Sequence, residues 1–126
     1  MAIEIEISKK FTFESAHFLP CFPEGHKCRR LHGHSFRLQV YVKGTPQDGI
    51  LMDYGELKKI VAPWVETLDH RLINEVGEEI QSELLKNPTS ENLALWFAEM
   101  LMPLLPQLSA IRIHETCTTD CFLRLR

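Results

Sequence analysis

The chain has 126 residues, 44% of them apolar and 25% charged, with a formal net charge of −3 when histidine is neutral. That length fits one domain over residues 1–126 with an adequate core, and the charge gives no basic field toward nucleic acid or anionic membrane. No apolar run approaches the roughly 20 residues of a membrane span, and the N-terminal stretch lacks the basic-then-apolar order of a secretory signal.

Ile3, Ile5 and Ile7 alternate with Glu4, Glu6 and Ser8, the period-two pattern of a half-buried strand. Phe11, Phe13 and His17 continue the same parity. From Phe18 to Leu31 periodicity is lost, and Pro20, Pro23 and Gly25 punctuate a long loop. A second strand follows, with Phe36, Leu38, Val40 and Val42 on one face and Arg37, Gln39 and Lys43 on the other; residues 44–49 read as its closing turn. Asp53 with Glu56 forms a D-x-x-E helix start. Leu57, Ile60, Val61, Trp64, Val65 and Leu68 then recur at helical spacing, with Pro63 expected to kink or split the helix. Thr89 or Ser90 caps a second helix, whose stripe is Leu93, Trp96, Phe97, Met100 and Leu101 and whose end is Pro103 and Pro106. Ile111 with Ile113, and Leu123 with Leu125, mark two short closing strands. The order strand, strand, helix, helix, strand, strand predicts an α+β domain, two helices covering one face of an antiparallel four-stranded sheet.

Cys21, Cys28, Cys117 and Cys121 are even in number, which in a secreted mini-protein suggests two disulfides. A chain with its own core and no secretory pattern instead reads as a cytoplasmic protein with reduced thiols. Cys117 and Cys121 flank a turn and are expected to pack.

His32-Gly33-His34 places two imidazoles at i and i+2, on one side of an extended segment. His17 has matching parity on the first strand, so three imidazoles converge if the two strands are neighbours. Three nitrogen ligands with an open fourth position describe a catalytic zinc site. An H-x-H pair alone also fits two surface histidines, and a Cys₂His₂ set of Cys21, Cys28, His32 and His34 is the competing metal reading, with spacings that suit a zinc ribbon poorly.

Cys28 lies among His26, Lys27, Arg29 and Arg30, and cationic neighbours favour the reactive thiolate over an inert buried thiol. The same basic cluster is either a solvated loop or a partner for phosphate. Asp69-His70 ends the first helical pattern and reads by itself as a polar helix terminus; a carboxylate there would also orient the imidazole. Glu115 shares parity with Ile111 and Ile113. It is either a strand-end residue in solvent or a half-buried carboxylate satisfied by a ligand with two adjacent N–H donors.

Taken in order, Phe11-Thr12-Phe13-Glu14-Ser15-Ala16-His17, Cys28-Arg29-Arg30-Leu31-His32-Gly33-His34, Asp53-Tyr54, Leu68-Asp69-His70, Asn87-Pro88-Thr89-Ser90-Glu91-Asn92-Leu93 and Glu115-Thr116-Cys117 resemble the 6-pyruvoyl-tetrahydropterin synthase family. Three residues between Cys28 and His32 resemble its queuosine-pathway branch. Animal-type members have a longer insertion, and a folate-linked branch carries a glutamate near the cysteine position.

The resemblance implies a T-fold whose sheet closes into a barrel by oligomerisation, as a homohexamer built from a dimer of trimers. It implies a small-molecule substrate, 7,8-dihydroneopterin triphosphate, and as products 6-carboxytetrahydropterin, acetaldehyde and triphosphate. By residue-wise match it makes His17, His32 and His34 ligands of Zn²⁺ and Cys28 the general base. Asp69 and His70 become an acid–base dyad and Glu115 the anchor of the pterin ring. The alternatives are a pyruvoyl-forming lyase and a non-catalytic zinc- or pterin-binding protein.

Overall fold

The computed structural model describes residues 3–126; Met1 and Ala2, the first residues of the N-terminal stretch that lacks a secretory pattern, lie outside the described residues. The strands are β1 (Ile5–His17), β2 (His32–Gly44), β3 (Arg71–Leu72), β4 (Leu108–His114) and β5 (Asp120–Arg124). The helices are α1 (Tyr54–Leu68), α2 (Ile73–Ile80), α3 (Glu83–Lys86) and α4 (Ser90–Leu101), and a single 3₁₀ turn covers Lys27–Arg29. The sheet order is β3-β1-β2-β4-β5.

The α+β class holds, but the sheet has five strands and is mixed. The added strand, β3, runs parallel to β1 and pairs only Arg71 and Leu72 with Ser15 and Ala16. Two residues carry no period, so the sequence holds no sign of it. The two expected helices form as α1 and α4, and α2 and α3 are further ones. Their apolar runs are too short for a helical period to emerge, and Gly77 inside α2 is a weak helix former. That glycine is needed for packing: a Cβ there would stand 2.6 Å from the Leu85 carbonyl carbon.

Alternation decides which face is covered. Phe36, Leu38, Val40 and Val42 of β2 are fully buried beneath the helices, and Arg37 on the opposite face is exposed. Leu57, Val61 and Leu68 of α1 and Leu93, Phe97 and Leu101 of α4 meet them in one core, each such side chain contributing roughly 1.5–3 kcal/mol over exposure. Phe13 and Phe36 stack at 5.0 Å across β1 and β2. The start of the expected strand departs from the half-buried pattern: β1 begins only at Ile5, which is 40% exposed, and Ile3 before it is 62% exposed.

Asp53 caps α1 by accepting from the Gly55 N–H at 3.2 Å. Glu56 turns instead to Lys59 at 3.4 Å, so only half of the expected capping box forms. Pro63 does not split α1, which continues through it. Pro63 and Lys59 are both exposed, so the Lys59 carbonyl that loses its donor lies where water can replace it. Thr89 caps α4, accepting from the Asn92 N–H at 3.0 Å.

Candidate metal centre and pocket

β1 and β2 are antiparallel with His17 directly opposite His32 and Ser15 opposite His34. Cross-strand partners share a face, so all three histidines stand on the helix-covered side at the end of the sheet. Their ring centroids lie 4.6, 5.2 and 4.9 Å apart. Phe36 forms the floor, its ring meeting those of His17 and His34 edge-on at 5.4 Å. β4 ends beside β2, and the next residue, Glu115, brings Oε1 to 3.1 Å from His34 Nε2 and 3.6 Å from His17 Nε2. One ligand atom from each of the four lies within 4.8 Å of the others.

The hydrogen-bond partners fix what these rings can do. His17 Nδ1 is 2.9 Å from the Pro88 carbonyl, and His32 Nδ1 is 2.6 Å from the Arg30 carbonyl. A carbonyl only accepts, so each Nδ1 carries a proton and donates it. In the neutral rings both Nε2 atoms then present lone pairs, and they face one another at 3.0 Å. Two opposed lone pairs at that distance need a proton or a cation beside them. Zinc–nitrogen bonds of about 2.0–2.1 Å in a tetrahedron put ligand atoms roughly 3.3 Å apart, and the observed separations bracket that value. His34 Nε2, buried with no hydrogen-bond partner of good geometry, completes the set. The donor set therefore fits zinc, with the Pro88 and Arg30 carbonyls as the outer supports that orient the imidazoles.

Burial, the largest effect on His34, pushes its pKa below the ordinary value and favours the neutral ring that ligates. Glu115 is held below the ordinary carboxyl range chiefly by a hydrogen bond from His17, a donor when that ring is doubly protonated; burial works the other way. The sequence left the fourth position open, and the structure stands the Glu115 carboxylate beside it, its side chain 21% exposed.

A pocket of about 570 Å³ opens from the cluster, lined by Lys27, Cys28, His32, His34, Ser90, Glu115, Thr116, Thr119 and Asp120. Cys28 is half-buried and free. Its N–H donates to His26 Nδ1 at 3.0 Å and its carbonyl accepts from the Leu19 N–H at 2.9 Å, so the turn carrying it is pinned at both ends. All four cysteines are free. Cys121 packs against the core as expected, but Cys117 is exposed in the turn.

Asp69 and His70 form the expected pair, Asp69 Oδ2 lying 3.0 Å from His70 Nδ1. Asp69 Oδ1 also accepts the Glu14 N–H at 2.8 Å, and this bond is the main reason its carboxyl lies below the ordinary range. The pair does not share a pocket with Cys28 within one chain. The His70 ring, its side chain 78% exposed, borders a separate depression with Glu14, Gly33, Ser35 and Arg71, and His34 is common to both openings. Sequence reasoning missed Ser90, Thr119 and Asp120 in the pocket wall. They come from a helix start and a polar turn, and nothing in their spacing sets them apart from solvated residues.

These features define a class: an α+β chain with a metal-competent three-histidine centre at the end of its two long strands, next to a pocket holding a free thiol. Residues 6–125 match the 6-pyruvoyl tetrahydropterin synthase family, and the chain belongs to it. A Synechocystis 6-carboxy-5,6,7,8-tetrahydropterin synthase is 43% identical over 121 residues, covering 90% of this chain and 88% of the relative. A Pyrococcus furiosus dihydroneopterin monophosphate aldolase is 36% identical, covering 82% of this chain and 81% of that protein. The solved Caenorhabditis elegans 6-pyruvoyl tetrahydropterin synthase shares the fold at a TM-score of 0.85 and 23% identity, covering 99% of this chain and 98% of that one.

Proposed function

We propose that the chain is a zinc-dependent 6-carboxytetrahydropterin synthase of queuosine biosynthesis, acting in the cytoplasm. It would convert 7,8-dihydroneopterin triphosphate to 6-carboxy-5,6,7,8-tetrahydropterin and release acetaldehyde and triphosphate. The observation that carries the reading is the opposed pair of imidazole lone pairs, His17 and His32, beside a pocket that contains a free cysteine. The Synechocystis relative bears the name of this activity, and the short Cys28–His32 spacing fits the same branch.

Bound zinc would polarise the substrate's side-chain hydroxyls and acidify the adjacent C–H. His17, His32 and His34 would hold it. Cys28, at the pocket wall, accepts and returns protons as the general base. Asp69 holds His70 by Nδ1, which leaves Nε2 to move a proton. Glu115 accepts paired N–H donors from the pterin edge, as a carboxylate can take both at once.

His70 and Cys28 face different openings of one chain, so in this reading the dyad serves the Cys28 pocket of a second copy. That fits the homohexamer, in which sheets close into a barrel and the openings of neighbouring chains meet.

The test is turnover of 7,8-dihydroneopterin triphosphate by purified protein, abolished by chelation and restored by zinc. Binding without turnover in the zinc-loaded protein would make this a non-catalytic pterin- or zinc-binding protein. The monophosphate aldolase relative favours one second reading, carbon–carbon cleavage of a monophosphorylated pterin.

A further inference from the structure

Four basic residues surround Cys28 in the sequence, and the structure gives them different tasks. His26 stacks on Phe22 at 4.1 Å and accepts the Cys28 N–H, so it caps the turn. Arg29 donates through Nη1 to the Pro20 carbonyl at 2.9 Å and the Phe22 carbonyl at 2.7 Å, so its guanidinium ties the loop together. Arg30 is exposed and contributes its carbonyl to His32; its side chain is no part of the pocket wall. Lys27 alone of the four lines the pocket, exposed, and it makes no ion pair among the described residues.

The remaining charged groups of the wall, besides the histidines, are carboxylates. Asp120 is bound to Arg112, and Glu115 sits on the imidazoles. Apart from an ion on the imidazoles, whose charge Glu115 adjoins, the charged side chains of the wall are therefore one-sided. A carboxylate side follows β4 and β5, and an ammonium stands on the turn before β2. Among these side chains Lys27 is the one with which an anionic chain can pair, since Asp120 is held by Arg112 and Glu115 stands at the metal centre.

We infer that Lys27 is the specificity-determining contact for the phosphate chain of the substrate, its ammonium pairing with non-bridging phosphate oxygens as a point charge. The inference rests on the pterin-phosphate reading of the site and deepens it. It also sets the substrate's direction, with the phosphates toward the Cys28 turn and the ring toward Glu115.

The experiment uses zinc-loaded wild type, Lys27→Ala and Lys27→Arg, each checked for metal content and melting temperature. Turnover is assayed with 7,8-dihydroneopterin triphosphate, and binding of the triphosphate, its monophosphate and the unphosphorylated compound is measured by calorimetry. Losing one charge-assisted contact made equally in ground and transition states should raise KM for the triphosphate by roughly tenfold or more, with little change in kcat. The monophosphate should lose less affinity and the unphosphorylated compound none. Lys27→Arg should restore most of the triphosphate KM, and the rise of KM with salt should flatten in Lys27→Ala.

An unchanged triphosphate KM in Lys27→Ala, or an equal loss on all three compounds, would overturn the inference. Calorimetry with inorganic triphosphate separates it from the parent reading. If no pterin is turned over but triphosphate binds wild type about tenfold more tightly than Lys27→Ala, the pterin reading fails and the phosphate site stands. Triphosphate binding that ignores Lys27 defeats the site itself.

Discussion

At the scale of single residues, His32 gives the most direct test of the metal. It is held by one backbone carbonyl and opposes His17 across the strand pair. Wild type should carry about one zinc per chain, and His32→Ala should lose most of it by elemental analysis; full occupancy in the variant would remove His32 from the ligand set. Cys28 separates base from ligand. Cys28→Ala should stay folded, zinc-loaded and able to bind substrate, because on the proposed ligand set three imidazoles would still hold the ion, while turnover falls by roughly a hundredfold or more. Zinc loss with unfolding would favour the Cys₂His₂ alternative, and undiminished turnover would make Cys28 a bystander. The histidine set was legible in the sequence because parity along a strand fixes the face, and Glu115 was legible for the same reason. The Pro88 and Arg30 carbonyls were not, since a backbone acceptor leaves no mark on residue type.

At the scale of elements, the junction of α1 with β1 is held by the residues expected to do chemistry. The Glu14 N–H donates to Asp69 Oδ1, the His70 N–H donates to the Glu14 carbonyl, and His70 takes a left-handed φ of 59° to make this possible. A short polar D-H dipeptide gives no warning of that clamp, nor of the two-residue β3 that follows it. Pro63 misled in the other direction, because its cost depends on whether the freed carbonyl faces water, which spacing does not report. The clamp has a pH signature. Asp69 titrates below its unfolded value of about 3.9, so its contribution is complete above that value and is lost as pH falls through the folded one. Wild type should therefore melt higher than Asp69→Asn at pH 6, and the gap should narrow below about pH 4. A gap independent of pH would remove Asp69's charge from the account.

At the scale of the whole molecule, the edges of the sheet bear on assembly. β3 covers only the Ser15–Ala16 end of β1, which leaves most of that edge unpaired, and β5 forms the opposite edge. Ile5, at the start of the uncovered stretch, and Ile3 just before it are exposed. Unpaired edges with apolar side chains are liabilities unless another copy pairs them. Light scattering should accordingly show an oligomer, with the hexamer as the proposed state; a monomer with full activity would defeat both the assembly and the shared site between Cys28 and His70. Zinc-loaded protein incubated with 7,8-dihydroneopterin triphosphate, with products identified by mass spectrometry, should yield 6-carboxy-5,6,7,8-tetrahydropterin, acetaldehyde and triphosphate. A pyruvoyl-tetrahydropterin product, or substrate recovered intact, would contradict it.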